Sequence, residues 1–170
     1  MTIEFIDDIP DDTNLKPVLI SGLTSAHYSN QIYLKLSHND TAAGLYEIKY
    51  EAHCSPFKEG LLVGNLLAVG HEEHFYLFNI VTNQNILRLK MNGYFGHIYF
   101  DAEHFYVADA SGLHCIDNTG NIRWSNLGLA IDGVIVNEFT GDKIIGSGEL
   151  DPPGGWEDFS IDKATGIRTT

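Results

Sequence analysis

Basic residues are scarce: ten Lys and Arg stand against 23 Asp and Glu, a formal net charge of −13 over 170 residues. Holding phosphates requires a basic footprint, so this balance excludes nucleic acid as a partner and argues against anionic membrane surfaces. Cysteine is nearly absent. Cys54 and Cys115 lie in no metal-ligand spacing, and each sits in or beside an alternating apolar stretch. They read as buried free thiols, not as the framework of a small secreted scaffold. No apolar run approaches the roughly 20 residues that a membrane span needs. Met1–Asp12 carries five acids and no base, the reverse of a targeting peptide. Helical periodicity is also missing, and a turn or two at residues 24–29 is the best helix candidate. These shortages predict a soluble, most simply cytoplasmic, globular protein.

What the chain does have is alternation. Apolar residues make up 44% and aromatics 11%, enough for a single domain over residues 1–170 with a core of its own. Short period-2 runs follow one another from Val18 to Ile161, separated by turn groups such as Asn92-Gly93, Ser111-Gly112 and Thr140-Gly141-Asp142. The chain therefore reads as all-β. Within it a register recurs: a strand closes on an isoleucine, five polar or turn residues follow, and a second isoleucine opens the next strand. The pairs are Ile80 and Ile86, Ile116 and Ile122, and Ile161 and Ile167, with a weaker copy of the first half at Leu45–Ile48. Anchor intervals of 32, 36 and 45 residues mean repeated supersecondary units, each unable to bury its face alone. Residues 44–170 are assigned to these units and residues 1–16 to an acidic arm, whose Ile3, Phe5, Ile6 and Ile9 predict that it docks.

Asp117-Asn118-Thr119-Gly120-Asn121-Ile122-Arg123-Trp124 resembles the turn between the two outer strands of quinoprotein-type β-propeller blades, related in architecture to WD-type blades. Asp162-Lys163-Ala164-Thr165-Gly166 matches the same Asp-x-x-Thr-Gly core, and the copy at Asp117 is one residue short. In such a turn the Asp side chain caps the backbone, Gly supplies a positive φ, and the Trp wedges between neighbouring blades. The resemblance covers Leu61–Thr170 and implies a small or partial propeller of antiparallel meanders. It is either closed by four abbreviated units or open, with a curved β-sandwich as the fallback. It does not imply a function, and no cluster of residues suggests a quinone or any other cofactor.

His71-Glu72-Glu73-His74 has histidines at i, i+3, not the i, i+4 of helical zinc sites, and reads as a polar turn sending the two rings to opposite sides. No nucleophile elbow or phosphate cradle occurs, so no catalytic and no metal residues are assigned. The most distinctive stretch is Gly148–Asp158, whose prolines and glycines predict a shaped loop between Ile145 and Phe159. Its carboxylates Glu149, Asp151, Glu157 and Asp158 surround Trp156, either an exposed anchor for a basic surface or an interblade wedge. Tyr94 and Phe95, between Gly93 and Gly96, are either core rings or exposed at the mouth of the array.

A small, acidic, catalytically empty chain resembles in style the immunity proteins of bacterial toxin–immunity pairs. That resemblance implies a non-enzymatic inhibitor whose carboxylates replace the phosphates in the cationic site of a toxin such as a nuclease. A general protein-interaction scaffold is the alternative, ahead of a small enzyme or a metal- or sugar-binding protein. An open array would also expose strand edges, which a homodimer would cover.

Overall fold

The structure is a computed structural model and describes residues 1–11, 13–21, 28, 30–39, 41–51 and 53–169. The short helix considered at residues 24–29 falls almost wholly outside these residues; among the described residues there is no helix. None is therefore long and apolar enough to cross a membrane.

Among the described residues fifteen strands form four small sheets. The first holds β1 (Thr2–Ile6), β2 (Val18–Leu19), β3 (Asn30–His38) and β4 (Thr41–Tyr50), in the order β1-β3-β4-β2. The second is the meander β5 (Lys58–Val63), β6 (Leu66–His71), β7 (His74–Asn79) and β8 (Gln84–Lys90). The third repeats it with β9 (Phe95–Asp101), β10 (His104–Asp109), β11 (Leu113–Asp117) and β12 (Ile122–Asn126). The fourth has β13 (Val134–Phe139), β14 (Lys143–Asp151) and β15 (Gly155–Asp162), and its fourth strand is reduced to a single bridge between Ile161 and Arg168. All pairings are antiparallel except β2 with β4.

The first and fourth sheets bury one face against a neighbour, and the second and third bury both. Leu34 and Ile48 of the first sheet pack on Leu67, Tyr76 and Phe78 of the second. Phe75 and Leu77 of the second pack on Phe95, Ile98, Phe105 and Val107 of the third. Tyr106, Leu113 and Cys115 of the third pack on Val134, Val136, Ile144, Phe159 and Ile161 of the fourth. Each fully buried side chain of this size contributes about 1.5–3 kcal/mol, so the three interfaces hold the array together. Among the described residues no buried core cluster joins the fourth sheet to the first. The chain is an all-β, propeller-like protein.

The recurring isoleucine register marks the turn between the third and fourth strands of the last three sheets, and the Asp and Gly in it act as that turn requires. Asp162 Oδ1 accepts from the Thr165 amide at 2.8 Å and its hydroxyl at 2.7 Å, and Asp117 Oδ1 accepts from the Thr119 and Asn121 amides at 2.9 and 3.0 Å. Burial opposes ionisation of Asp117, but its hydrogen bonds from Thr119 and Asn121 outweigh this and hold its carboxyl down at about 2. Gly166 has φ +70° and lies against the Trp124 ring, where an added Cβ would come within 2.5 Å of Cε3. Trp124 donates from Nε1 to the Lys163 carbonyl at 3.1 Å, so it is the wedge between the third and fourth sheets.

Several expectations are corrected, one of them at Cys54, which is an exposed thiol, unlike the buried Cys115. The copy at Leu45–Ile48 lies inside β4, whose outer neighbour β2 runs parallel to it, so the regular units start at Lys58 and not at residue 44. Residues 148–158 are not an irregular loop: β14 and β15 pair as far as Asp151 and Gly155, and only Pro152, Pro153 and Gly154 turn between them. The prolines stay off the ladder, which removes the physical objection to strands on either side. Phe95 is fully buried, its ring against Gly70, where an added Cβ would meet it at 2.0 Å; it belongs to the core and not to a binding surface. The acidic arm docks as β1 along β3, and Pro10 and Leu15 line a cavity with Lys35, Ala42 and Leu45.

Candidate functional site

The first strands of the three regular units are β5, β9 and β13. The residues immediately before them are Phe57, Tyr94 and Gly133, equivalent positions of successive units. Phe57 and Tyr94 stack with ring centroids 5.9 Å apart and planes inclined by 26°. At the third position there is no ring. Gly133 has φ +136°, and the Trp156 ring from β15 comes into the space instead: a Cβ on Gly133 would lie 3.3 Å from Trp156 Cη2 and 3.7 Å from Tyr94 Oη. These groups, with Gly96, His97, Ile135, Asp132 and Glu149, line a cleft of about 320 Å³. Phe57 and Trp156 are 43% and 42% exposed, so two of its aromatic walls are open to a ligand.

The cleft is acidic as well as aromatic. The Tyr94 hydroxyl donates to Asp132 Oδ1 at 3.0 Å, and Glu149 Oε1 accepts from the Gly154 amide. Burial, the hydrogen bond to Asp132 and the charges of Asp132, Glu149 and Asp109 together push the Tyr94 phenol up to about 12. Among the described residues no Lys or Arg lines the cleft.

Buried acids in the turns between second and third strands set its walls. Asp109 is wholly buried and accepts from the Asn92, Ser111 and Gly112 amides at 2.9, 2.9 and 2.7 Å and from His114 Nε2 at 3.0 Å. Burial alone would raise its carboxyl; the bonds from His114, Asn92 and Ser111 outweigh burial and hold it below the usual range. Ser125 Oγ lies 2.8 Å from His114 Nδ1, completing a Ser–His–Asp row. Because three backbone amides share the Asp109 carboxylate, the row fixes the turn and, through Asn92, the approach to Tyr94. Glu72, in the equivalent turn of the preceding unit, accepts from the Cys54 and Ser55 amides at 2.6 and 3.0 Å and so pins the segment leading to Phe57.

The sequence-assigned site residues divide. Tyr94, Glu149 and Trp156 meet in the cleft, with Glu149 and Trp156 opposed across β14 and β15. Asp158 shares the Trp156 face one pair further along, Glu157 lies on the other face, and Asp151 closes the hairpin; these three are exposed and do not line the cleft. Phe57, Asp132 and Gly133 escaped sequence reading. The signal that could have found them is their position at or just before the first strand of each unit.

His71 and His74 close a two-residue hairpin as cross-strand partners, so they share a face and do not diverge. They are still held apart in role: His71 is buried against Tyr50, ring centroids 4.6 Å apart, and His74 Nε2 faces Arg88 at 3.1 Å. Burial lowers the His71 imidazole to about 4 against the opposing pull of Glu72. A histidine depressed in the fold stabilises it fully above its unfolded value near 6.5 and loses that contribution as pH falls toward 4. We expect His71→Leu to flatten the loss of stability between pH 6.5 and 4, an effect of roughly 3 kcal/mol. Urea melts across that window check this; an unchanged slope would show that His71 is not the titrating group.

No family model matches the chain, and no curated protein matches it. Among solved structures it is similar to a Kuenenia stuttgartiensis hydrazine synthase chain, with a TM-score of 0.57 and 16% identity, covering 96% of this chain and 52% of that one. That structure contains a β-propeller, and the likeness supports the propeller-like fold alone. The chain spans about half the length of that neighbour.

Proposed function

We propose that this protein binds a basic protein through the cleft between Phe57, Tyr94 and Trp156, and that it acts without catalysis of its own. The observation that carries the reading is the cleft's composition: exposed aromatic rings beside Asp132 and Glu149, with no Lys or Arg in the lining among the described residues and a net charge of −13 on the chain. Aromatic anchors in a pocket supply affinity, and surrounding charge of one sign supplies encounter rate and selectivity. The specific form we favour is an inhibitor that neutralises a basic bacterial toxin, such as a nuclease, in the manner of an immunity protein.

The test is affinity capture from the host lysate on the tagged protein with salt-gradient elution. One strongly basic protein retained near 1:1 and released by salt is the expected result, with an association rate that falls as ionic strength rises. Several weakly held proteins would favour the scaffold alternative. A stoichiometric metal or small ligand with no retained protein would contradict both.

A further inference from the structure

We infer that the cleft is built to receive one arginine side chain of its partner. This rests on the basic-partner reading and specifies the chemistry at its centre. The stacked Phe57 and Tyr94 rings, inclined by only 26°, and the exposed Trp156 ring line the same space. At about 320 Å³ the cleft is at the small end of ligand pockets, suited to one long side chain and its flanks and not to a folded segment. A guanidinium is planar, weakly hydrated and able to stack on an aromatic face while its N–H groups reach carboxylates; an ammonium is compact and strongly hydrated.

The acceptors are in place. Tyr94 fixes Asp132 through Oδ1, and Gly154 fixes Glu149 through Oε1. Among the described residues no protein donor reaches Asp132 Oδ2 or Glu149 Oε2, which leaves each carboxylate one oxygen for an incoming N–H. Both carboxylates are thus oriented before a ligand arrives, which lowers the ordering cost of binding.

The experiment is an NMR titration of the full chain with the amides of N-acetylarginine, N-acetyllysine and N-acetylcitrulline, the last being the neutral near-isostere of arginine. The two indole N–H signals, from Trp124 and Trp156, are assigned with Trp156→Ala. We expect the arginine amide to shift the Trp156 indole and the Gly133 amide saturably, and the citrulline amide to bind about tenfold more weakly or worse. Asp132→Asn should weaken the arginine amide while leaving the Trp124 indole in place, a sign that the fold persists. Equal binding of arginine and citrulline, equal binding of arginine and lysine, or no saturable shift would each overturn the assignment. If a basic partner is still captured and shifts the same signals, only the arginine assignment falls; if capture fails too, the basic-partner reading falls with it.

Discussion

Replacing Asp109 with alanine should cost about 3–5 kcal/mol of stability, most of what a domain of this size possesses. The carboxylate is wholly buried and binds the Asn92, Ser111 and Gly112 amides and His114. Without it those donors lose their acceptor in the interior, and each uncompensated polar group there is costly. Asp109→Asn keeps the shape but removes the charge, and should fall between wild type and alanine. The pH dependence has a definite sign. The folded carboxyl is held below its unfolded value, so its contribution is present above the unfolded value near pH 4 and disappears as pH falls through the folded one. Guanidinium melts at neutral pH give the cost directly. A loss under about 1 kcal/mol would show that the turn holds without its acid and that the row from Ser125 to Asp109 is incidental.

Trp156→Ala should weaken capture of the basic partner by about 30-fold or more, as loss of a central aromatic anchor does. Its stability should change little, because the ring is 42% exposed and stands outside the three interblade cores. This separates the two roles that the sequence left open for it. Trp124 is the wedge, with its indole N–H on the Lys163 carbonyl. A Trp156→Ala protein that unfolds would return Trp156 to the wedge role. One that folds and binds as before would remove it from the interface. Asp151, Glu157 and Asp158 lie outside the cleft lining, so Asp151→Asn and Glu157→Gln should change the association rate and its salt dependence more than the dissociation rate. Stopped-flow binding at two ionic strengths resolves that difference.

Much of the fold was legible because its signals are local. An Asp that caps, a Gly with positive φ and an isoleucine that closes the strand all act within six residues, so the turns at Asp117 and Asp162 stood out in the chain. The first sheet was harder to read. Its order β1-β3-β4-β2 joins an N-terminal strand and a parallel edge to one hairpin, and no local pattern encodes such pairings. The cleft was half legible for the same reason. Trp156 and Glu149 sit in a conspicuous stretch, but Phe57 and Asp132 are ordinary residues 75 positions apart in the chain, joined only by the stacking of successive units. Phe95 was misplaced as a possible surface ring because its burial depends on Gly70 in a different sheet leaving room for it. The Pro152–Pro153 segment misled in the opposite sense, since prolines in a turn say nothing against the strands that flank it.

The most direct test of the account is to map the captured partner on the isotopically labelled protein by NMR. The largest perturbations should gather at Phe57, Tyr94, His97, Gly133 and the Trp156 indole, and the folded Trp156→Ala protein should lose them. Perturbations centred on the first sheet, around β1 and β2, with these signals unmoved, would show that the partner binds elsewhere and that the cleft is not the site.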